Sequence, residues 1–370
     1  MKKVCVVTAT RSEYGVLRWI IDGIQKDPDL QLQLLVTGAH LSEEFGETYK
    51  FVEEDGYVID EKVDMCLSTR NVYDITYSMG QCAIGISESF RRLQPNMIVV
   101  LGDRYELLPI VSTALVQRIP IAHISGGDIT EGAIDNEIRN AVSCMSSLHF
   151  PGIEESAHNL KRILGCEDNI FTVGEPGLDS FLRCAVLSRD QLAACLGLDV
   201  TKRWMLVTLH SETKSSIEDN MQMVHNLYEA MLMQNDVQYI ITKANADLGG
   251  TQINDFWDII NNEQFRVFAS LGQMRYLSIM RQVECLVGNS SSGIIEAPFL
   301  GIPVINIGNR QKGRHICRNV CCCTSLTDSI LNAFLHLSDY KKADKYWGDG
   351  YASERIITQV KMYLNGETPY

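Results

Sequence analysis

The chain has 370 residues, too long for one compact core and about right for two domains of common size. With 45% hydrophobic and 21% charged residues it has ample material for buried cores, which excludes a disordered chain. Its 33 basic residues face 46 acidic ones, and the net charge of −13 opposes non-specific attachment to nucleic acid or to an anionic membrane. An anionic ligand therefore has to meet a local basic cluster.

From the N-terminus, MKKVCVVTATRSE turns polar before a signal-peptide core could form, and no apolar run reaches the roughly 18 to 20 residues of a membrane helix. A cytoplasmic protein is expected. Short apolar runs then alternate with longer amphipathic stretches, the pattern of parallel sheets flanked by helices. Strands are expected at 4–9, 32–37, 97–101, 120–124, 147–150 and 170–173. A second series follows at 205–209, 237–242, 266–269, 285–288 and 303–307. The turn-rich GEPG at 174–177 marks the hinge, giving an α/β protein of two doubly wound domains. A last helix at about 353–364 carries Ile356, Ile357, Val360, Tyr363 and Leu364 on one face and could pack on either domain.

In open parallel sheets ligands bind beyond the carboxyl ends of the strands, so the residues after each apolar run carry the chemistry. The first strand leads into Thr10, Arg11, Ser12, Glu13, Tyr14 and Gly15, and the third into Gly102, Asp103, Arg104, Tyr105 and Glu106. The fourth leads into Ser125, Gly126, Gly127 and Asp128, with Glu131, Asp135 and Arg139 beyond. Any one of these could cap a helix or make a local ion pair, but three strand ends of the same composition favour a site. The arginine fork suits phosphate, and clustered carboxylates suit proton transfer.

The second half offers GNSSSG at 288–293 at the start of a helical stretch, where small residues and free amides suit an anion. Ser290 and Ser291 lie there, Glu296 could accept two ribose hydroxyls, and Arg310 with Arg314 could close on phosphate. His210 and Asn245 end strands of the same series. His40, His158, His225 and His336 have no comparable context. Eight cysteines are scattered singly and read mostly as reduced core residues. The run Cys317, Cys321, Cys322, Cys323 lacks a second ligand pair, and no metal site is expected.

The motifs TRSEYG (10–15), GDRYE (102–106), HISGGDITEGAIDNEIR (123–139), VTLHSET (207–213) and GNSSSGIIEAPFLGIPVINIGNRQKGR (288–314) resemble, in order, those of the hydrolysing UDP-N-acetylglucosamine 2-epimerases. That resemblance implies the GT-B architecture, two Rossmann-like domains with a central cleft. The first would span 1–174 and regain the C-terminal helix 351–370, and the second would span 175–350. It also implies conversion of UDP-GlcNAc and water to N-acetylmannosamine and UDP, for sialic-type sugar synthesis, in a homodimer or homotetramer without cofactor. Matched motif by motif, Arg11, Arg104, His210, Asn245, Ser290, Ser291, Glu296 and Arg310 would hold the nucleotide. Asp103, Asp135 and Arg139, with His210, would act at the sugar, and Asp128 is a further catalytic candidate.

Ser125 departs from relatives that place a catalytic glutamate after the His-Ile pair, and Asp128 is the next carboxylate. Asn140 and Ser211 replace a histidine and a proline often found in the family. These departures leave open the same chemistry on a bacillosamine or GDP-linked sugar, a non-hydrolysing epimerase, a GT-B glycosyltransferase, or an inactive nucleotide-sugar sensor.

Overall fold

The structure, a computed structural model, describes residues 1–43, 45–68, 72–129, 134–212, 215–244 and 249–367. It divides into unit 1, Met1–Leu182 with Gly348–Tyr370, and unit 2, Arg183–Trp347.

Unit 1 is built on six parallel strands, β1 Lys2–Thr8, β2 Leu30–Thr37, β3 Glu61–Val63, β4 Met97–Leu101, β5 Ile121–Ile124 and β6 Leu148–Phe150. Their order is β3-β2-β1-β4-β5-β6, and β1 pairs in register with β2 (Val4↔Leu32) and with β4 (Val4↔Met97). Helices cover both faces, so the central strands are apolar throughout. Val4 and Val6 face a core with Leu17, Ile20, Ile356 and Val360. Cys5 and Val7 face the opposite one with Cys82, Ile86, Phe90 and Ile110.

Unit 2 repeats the plan with β7 Arg203–Thr208, β8 Val237–Thr242, β9 Phe265–Phe268, β10 Cys285–Gly288, β11 Val304–Ile307 and β12 Val320–Cys323. The order is β12-β11-β10-β7-β8-β9, all parallel. One face packs Met205, Val207, Tyr239 and Ile305 against Met223, Leu227 and Trp257. The strand order reverses between β1 and β4 in unit 1 and between β7 and β10 in unit 2, and such switch points are where doubly wound sheets bind ligands.

The first crossing between units lies beyond the expected GEPG turn. The helix Asp179–Arg183 is tied back to unit 1 by Trp19, whose indole donates to Ser180 Oγ at 3.0 Å, and by the buried Asp179 carboxylate. Asp179 accepts from the amides of Ala352 (3.0 Å) and Ser353 (2.8 Å), and so caps the C-terminal helix Ala352–Leu364 on unit 1. Two short edge strands were not anticipated: the charged three-residue β3, and β12, which is made mostly of the cysteine run. The run expected at 170–173 forms one bridge to His149 rather than a strand. Of the eight scattered cysteines only Cys5, Cys82 and Cys285 are buried; Cys66, Cys144, Cys166 and Cys195 are exposed, correcting the expectation that most are core. Among the described residues no group of three or more His, Cys, Asp or Glu side chains could hold a metal ion, and no helix is long and apolar enough to cross a membrane.

Candidate active site

In unit 1 the groups gather at the ends of β1, β4 and β5. Arg11 opens the helix Arg11–Lys26, capped by Thr10, and its guanidinium lies over the Phe51 ring at 4.6 Å. Arg104 follows β4 and is held by two carboxylates, Glu106 at 2.7 Å and Glu13 at 3.8 Å. Glu13 Oε2 accepts from the Ala9 amide at 2.7 Å, yet burial pushes its pKa up to about 7 against the lowering effect of that bond and of Arg104. Neither Glu13 nor Glu106 was singled out as a site residue. The signal was available in TRSEYG and GDRYE, but nothing in one sequence says that these two carboxylates meet at one arginine.

Asp103 pairs with Arg139, which is almost completely buried and also donates to the Asp128 carbonyl at 2.7 Å. Asp135 starts the helix Asp135–Met145 one turn before Arg139 and shares its face. Asp128 Oδ1 accepts from Ser156 Oγ at 2.5 Å. The Ser-Gly-Gly turn that delivers Asp128 is tight: Ser125 has φ +60°, and a Cβ on Gly127, at φ +81°, would strike the Ser156 carbonyl.

His123 supports this turn from beneath. The Gly102 carbonyl, 2.8 Å from Nε2, can only accept, so Nε2 carries the proton and Nδ1 accepts from Ser143 Oγ at 3.0 Å. Burial holds its pKa down at about 4, so the ring is neutral. His40, given no role from sequence, is likewise buried. It bridges Thr8 at 3.1 Å and Thr48 at 2.9 Å, with its pKa lowered to about 4 by desolvation.

In unit 2 the organising residue is Asn289, another one missed. Its side chain accepts from the His210 amide at 2.7 Å and donates to the His210 carbonyl at 2.9 Å, fastening the end of β7 to the end of β10. Its own carbonyl accepts from Arg310 Nη1 at 3.2 Å and from Gln311 Nε2 at 2.8 Å, which draws in the loop after β11. Glu212 braces that loop by accepting from the Arg310 amide at 3.1 Å. Gly288 ends β10 at φ +132°, so close to β7 that a Cβ would run into the Thr208 carbonyl.

Ser290 caps the helix Ser291–Leu300, its Oγ accepting from the Ser292 amide at 3.4 Å. Ser291 is the first residue of that helix, whose free amides and positive dipole end suit an anion. Glu296 lies one turn on, with Oε2 buried and without a hydrogen-bond partner and its pKa raised by desolvation. The Ser292 hydroxyl lies within hydrogen-bond reach of both Glu296 and Tyr276. Asn245 lies outside the described residues. His210, Ser290, Ser291, Glu296 and Arg310 thus assemble at the β7/β10 switch point, and Arg11, Asp103, Arg104, Asp128, Asp135 and Arg139 around the β1/β4 one.

Residues 22–361 match the family model described as UDP-N-acetylglucosamine 2-epimerase. A GDP/UDP-N,N'-diacetylbacillosamine 2-epimerase (hydrolysing) from Campylobacter jejuni is 37% identical over 86% of this chain and 83% of its own length. Polysialic acid biosynthesis protein P7 of Escherichia coli is 33% identical, over 85% and 80% respectively. The solved UDP-GlcNAc 2-epimerase from Neisseria meningitidis bound to UDP-GlcNAc superimposes with a TM-score of 0.75 at 17% identity, over 97% of this chain and 99% of that one, which fixes the fold as GT-B type. With a family model covering most of the sequence and two relatives at this level of identity, the chain belongs to the hydrolysing UDP-N-acetylglucosamine 2-epimerase family of nucleotide-sugar enzymes.

Proposed function

We propose that the protein hydrolyses and epimerises a UDP-linked 2-acetamido sugar, with UDP-GlcNAc and water giving N-acetylmannosamine and UDP. The observation that carries this reading is the Asp103–Arg139–Asp128 cluster at the ends of β4 and β5. One buried arginine there meets the Asp103 carboxylate and the Asp128 carbonyl, which supports a site because doubly wound sheets bind ligands beyond the ends of such strands. Carbon 2 of the sugar is not next to a carbonyl, so its hydrogen is hardly acidic until the bond from carbon 1 to the diphosphate begins to break. Base and leaving-group stabilisation therefore act together.

Unit 2, with Ser290, Ser291, His210 and Arg310, is proposed to hold the nucleotide and take up charge developing on the diphosphate, each key donor contributing about 3 to 4 kcal/mol. Glu296, with its unpartnered buried oxygen, is suited to the ribose hydroxyls. Arg11 and Arg104 would supply further phosphate contacts. In unit 1 a carboxylate, with Asp103 first in line, removes the carbon-2 proton as UDP leaves, giving 2-acetamidoglucal. Water then adds hydroxyl to carbon 1 while a proton reaches carbon 2 from the opposite face, a step for which Asp128 and Asp135 are the candidates. No redox cofactor or metal enters these steps. Consumption of a nucleotide sugar fits a cytoplasmic enzyme, and sialic-type sugar synthesis fits the product.

A second reading, UDP-N,N'-diacetylbacillosamine or its GDP counterpart as substrate, is favoured by the name of the 37% identical relative. Product NMR in heavy water on UDP-GlcNAc, UDP-N,N'-diacetylbacillosamine and the GDP-linked sugar tests both. The expected products are UDP or GDP and a free sugar of manno configuration with deuterium at carbon 2. An intact UDP-ManNAc product, transfer to an acceptor without carbon-2 exchange, or no turnover on any of them would overturn the proposal. Asp103→Asn and Asp128→Asn should each lose at least about 100-fold in kcat while still binding UDP, and Ser125→Ala far less.

A further inference from the structure

The charges gathered after β1 and β4 do not balance. Glu106 takes the Arg104 guanidinium on one oxygen, which accepts from Nη2 at 2.7 Å and from Nε at 3.3 Å. Glu13 comes within 3.8 Å of the same Nε, beyond hydrogen-bond reach, and its other oxygen accepts from the Ala9 amide. Glu106 is fully buried and Glu13 nearly so, and each keeps one oxygen without a partner. One arginine facing two ionised carboxylates leaves excess negative charge in a place shielded from water, the arrangement in which a carboxyl keeps a proton. Geometry decides which one: Arg104 hydrogen-bonds Glu106, so Glu13 takes the proton, and burial pushes its pKa up to about 7.

The surrounding elements bring no competing charge to Glu13. Arg11, on the same helix, lies over the Phe51 ring. His40, from the turn after β2, reaches Thr8 and Thr48 and is kept neutral by burial. Tyr105 beside Arg104 and Cys82 of the helix Val72–Leu93 both have their pKa raised by burial and stay protonated. The Arg104 side chain is 40% exposed, and among the described residues its Nη1 makes no hydrogen bond. That edge of the guanidinium is open to a phosphate oxygen.

We propose that Glu13 is a positioning residue for Arg104, and that a diphosphate arriving at this arginine is bound together with one proton, taken up by the Glu13 carboxylate. The inference rests on the nucleotide-sugar reading above. An ionised Glu13 competes with the ligand for the guanidinium, whereas a neutral one leaves it to the ligand. The proton comes from solvent, one O–H bond forms on Glu13, and no bond of the ligand breaks. An anion several ångströms away raises a carboxyl by about one pKa unit or more at protein dielectric. The contribution of Glu13 to affinity is therefore complete well below pH 7 and is lost as pH rises through about 7. The terminal phosphate of UDP ionises near pH 6, so the ligand's own titration acts in the opposite direction.

Calorimetric titration of the full chain with UDP, in buffers of different ionisation enthalpy, counts the protons. At pH 7.5 the wild type should take up roughly half a proton per UDP more than Glu13→Gln, whose side chain cannot accept one. Wild-type affinity should fall relative to the variant between pH 6.5 and pH 8.5, from about equal to about tenfold weaker. A side chain needed only for shape would change affinity by the same factor at every pH. Should Glu13→Gln fail to fold, the infrared difference spectrum of the wild type on binding UDP at pH 8 supplies the answer: a protonated carboxyl band should appear and shift in heavy water. Equal proton uptake by the two proteins, a constant affinity ratio across pH, or no carboxyl band would overturn the proposal and leave the nucleotide reading standing. A wild type that binds no UDP at any pH would overturn both.

Discussion

The carboxyl of Glu13 lies between the Ala9 amide and the Arg104 guanidinium, and burial still lifts its pKa to about 7. One arginine serves two buried carboxylates here, and an oxygen of each, Glu13 Oε1 and Glu106 Oε2, has no hydrogen-bond partner. Because the native group binds its proton more tightly than the unfolded one, its stabilising contribution is complete below about pH 4.5 and is lost as pH rises through about 7. Glu13→Gln, which imitates the protonated form, should gain stability relative to the wild type between pH 5 and pH 8, by on the order of 2 kcal/mol. Urea unfolding at a series of pH values measures this difference, and a difference that stays flat with pH would mean that Glu13 is ionised throughout. The carboxyl also gives Arg104 a pH-dependent neighbour: with Glu13 neutral, the guanidinium has more of its charge to offer a phosphate.

At the scale of elements, strand ends explain both what the sequence reveals and what it conceals. The runs at 97–101, 237–242 and 285–288 are strands as expected, because buried parallel strands are continuous apolar stretches bounded by glycine and polar residues. β3 is too short and too charged to stand out, and β12 is three cysteines after a valine, a composition that invites a metal reading before a strand one. Asp103, Asp128, Ser290 and Arg310 follow β4, β5, β10 and β11, the strands whose apolar runs precede them in the motifs. The motifs could not show that Asn289 is the fastener between β7 and β10, since its function is two backbone bonds to a residue far away in sequence. The same junction makes Gly288 irreplaceable. Gly288→Ala should cost at least about 3 kcal/mol or prevent folding, because the Thr208 backbone would have to move, while Gly313→Ala, strained but open, should cost about 1 kcal/mol. Thermal melts of the two variants make the comparison, and equal losses would mean that strain rather than crowding dominates at the switch point.

For the molecule as a whole, the two units differ in how they should respond to acid. Unit 1 buries His40, His123 and His149, each with its pKa lowered to about 4 by desolvation. Their unfolded forms take up protons near 6.5, so the stability that these neutral rings contribute is present above that value and is lost as pH falls toward 4. Glu13 works in the opposite direction but is one group against three. Between pH 7 and pH 5, protection from hydrogen exchange, corrected for the intrinsic rate, should fall in the core peptides of unit 1 before those of unit 2. Loss in unit 2 first would show that the three imidazoles do not set acid stability. The capping of Ala352 and Ser353 by Asp179 has a consequence for the order of events during synthesis. Unit 2 is one continuous stretch of chain, whereas a core of unit 1 contains Ala352, Ile356 and Val360 from the last helix. At ribosomal rates of roughly 5–20 residues per second, the domain begun first waits on the order of ten seconds or more for its final helix, while the domain begun second can already be complete. The nascent chain thus carries the uncovered flank of Val4, Val6, Leu17 and Ile20 throughout that interval, an apolar surface open to neighbouring nascent chains until the last helix is made.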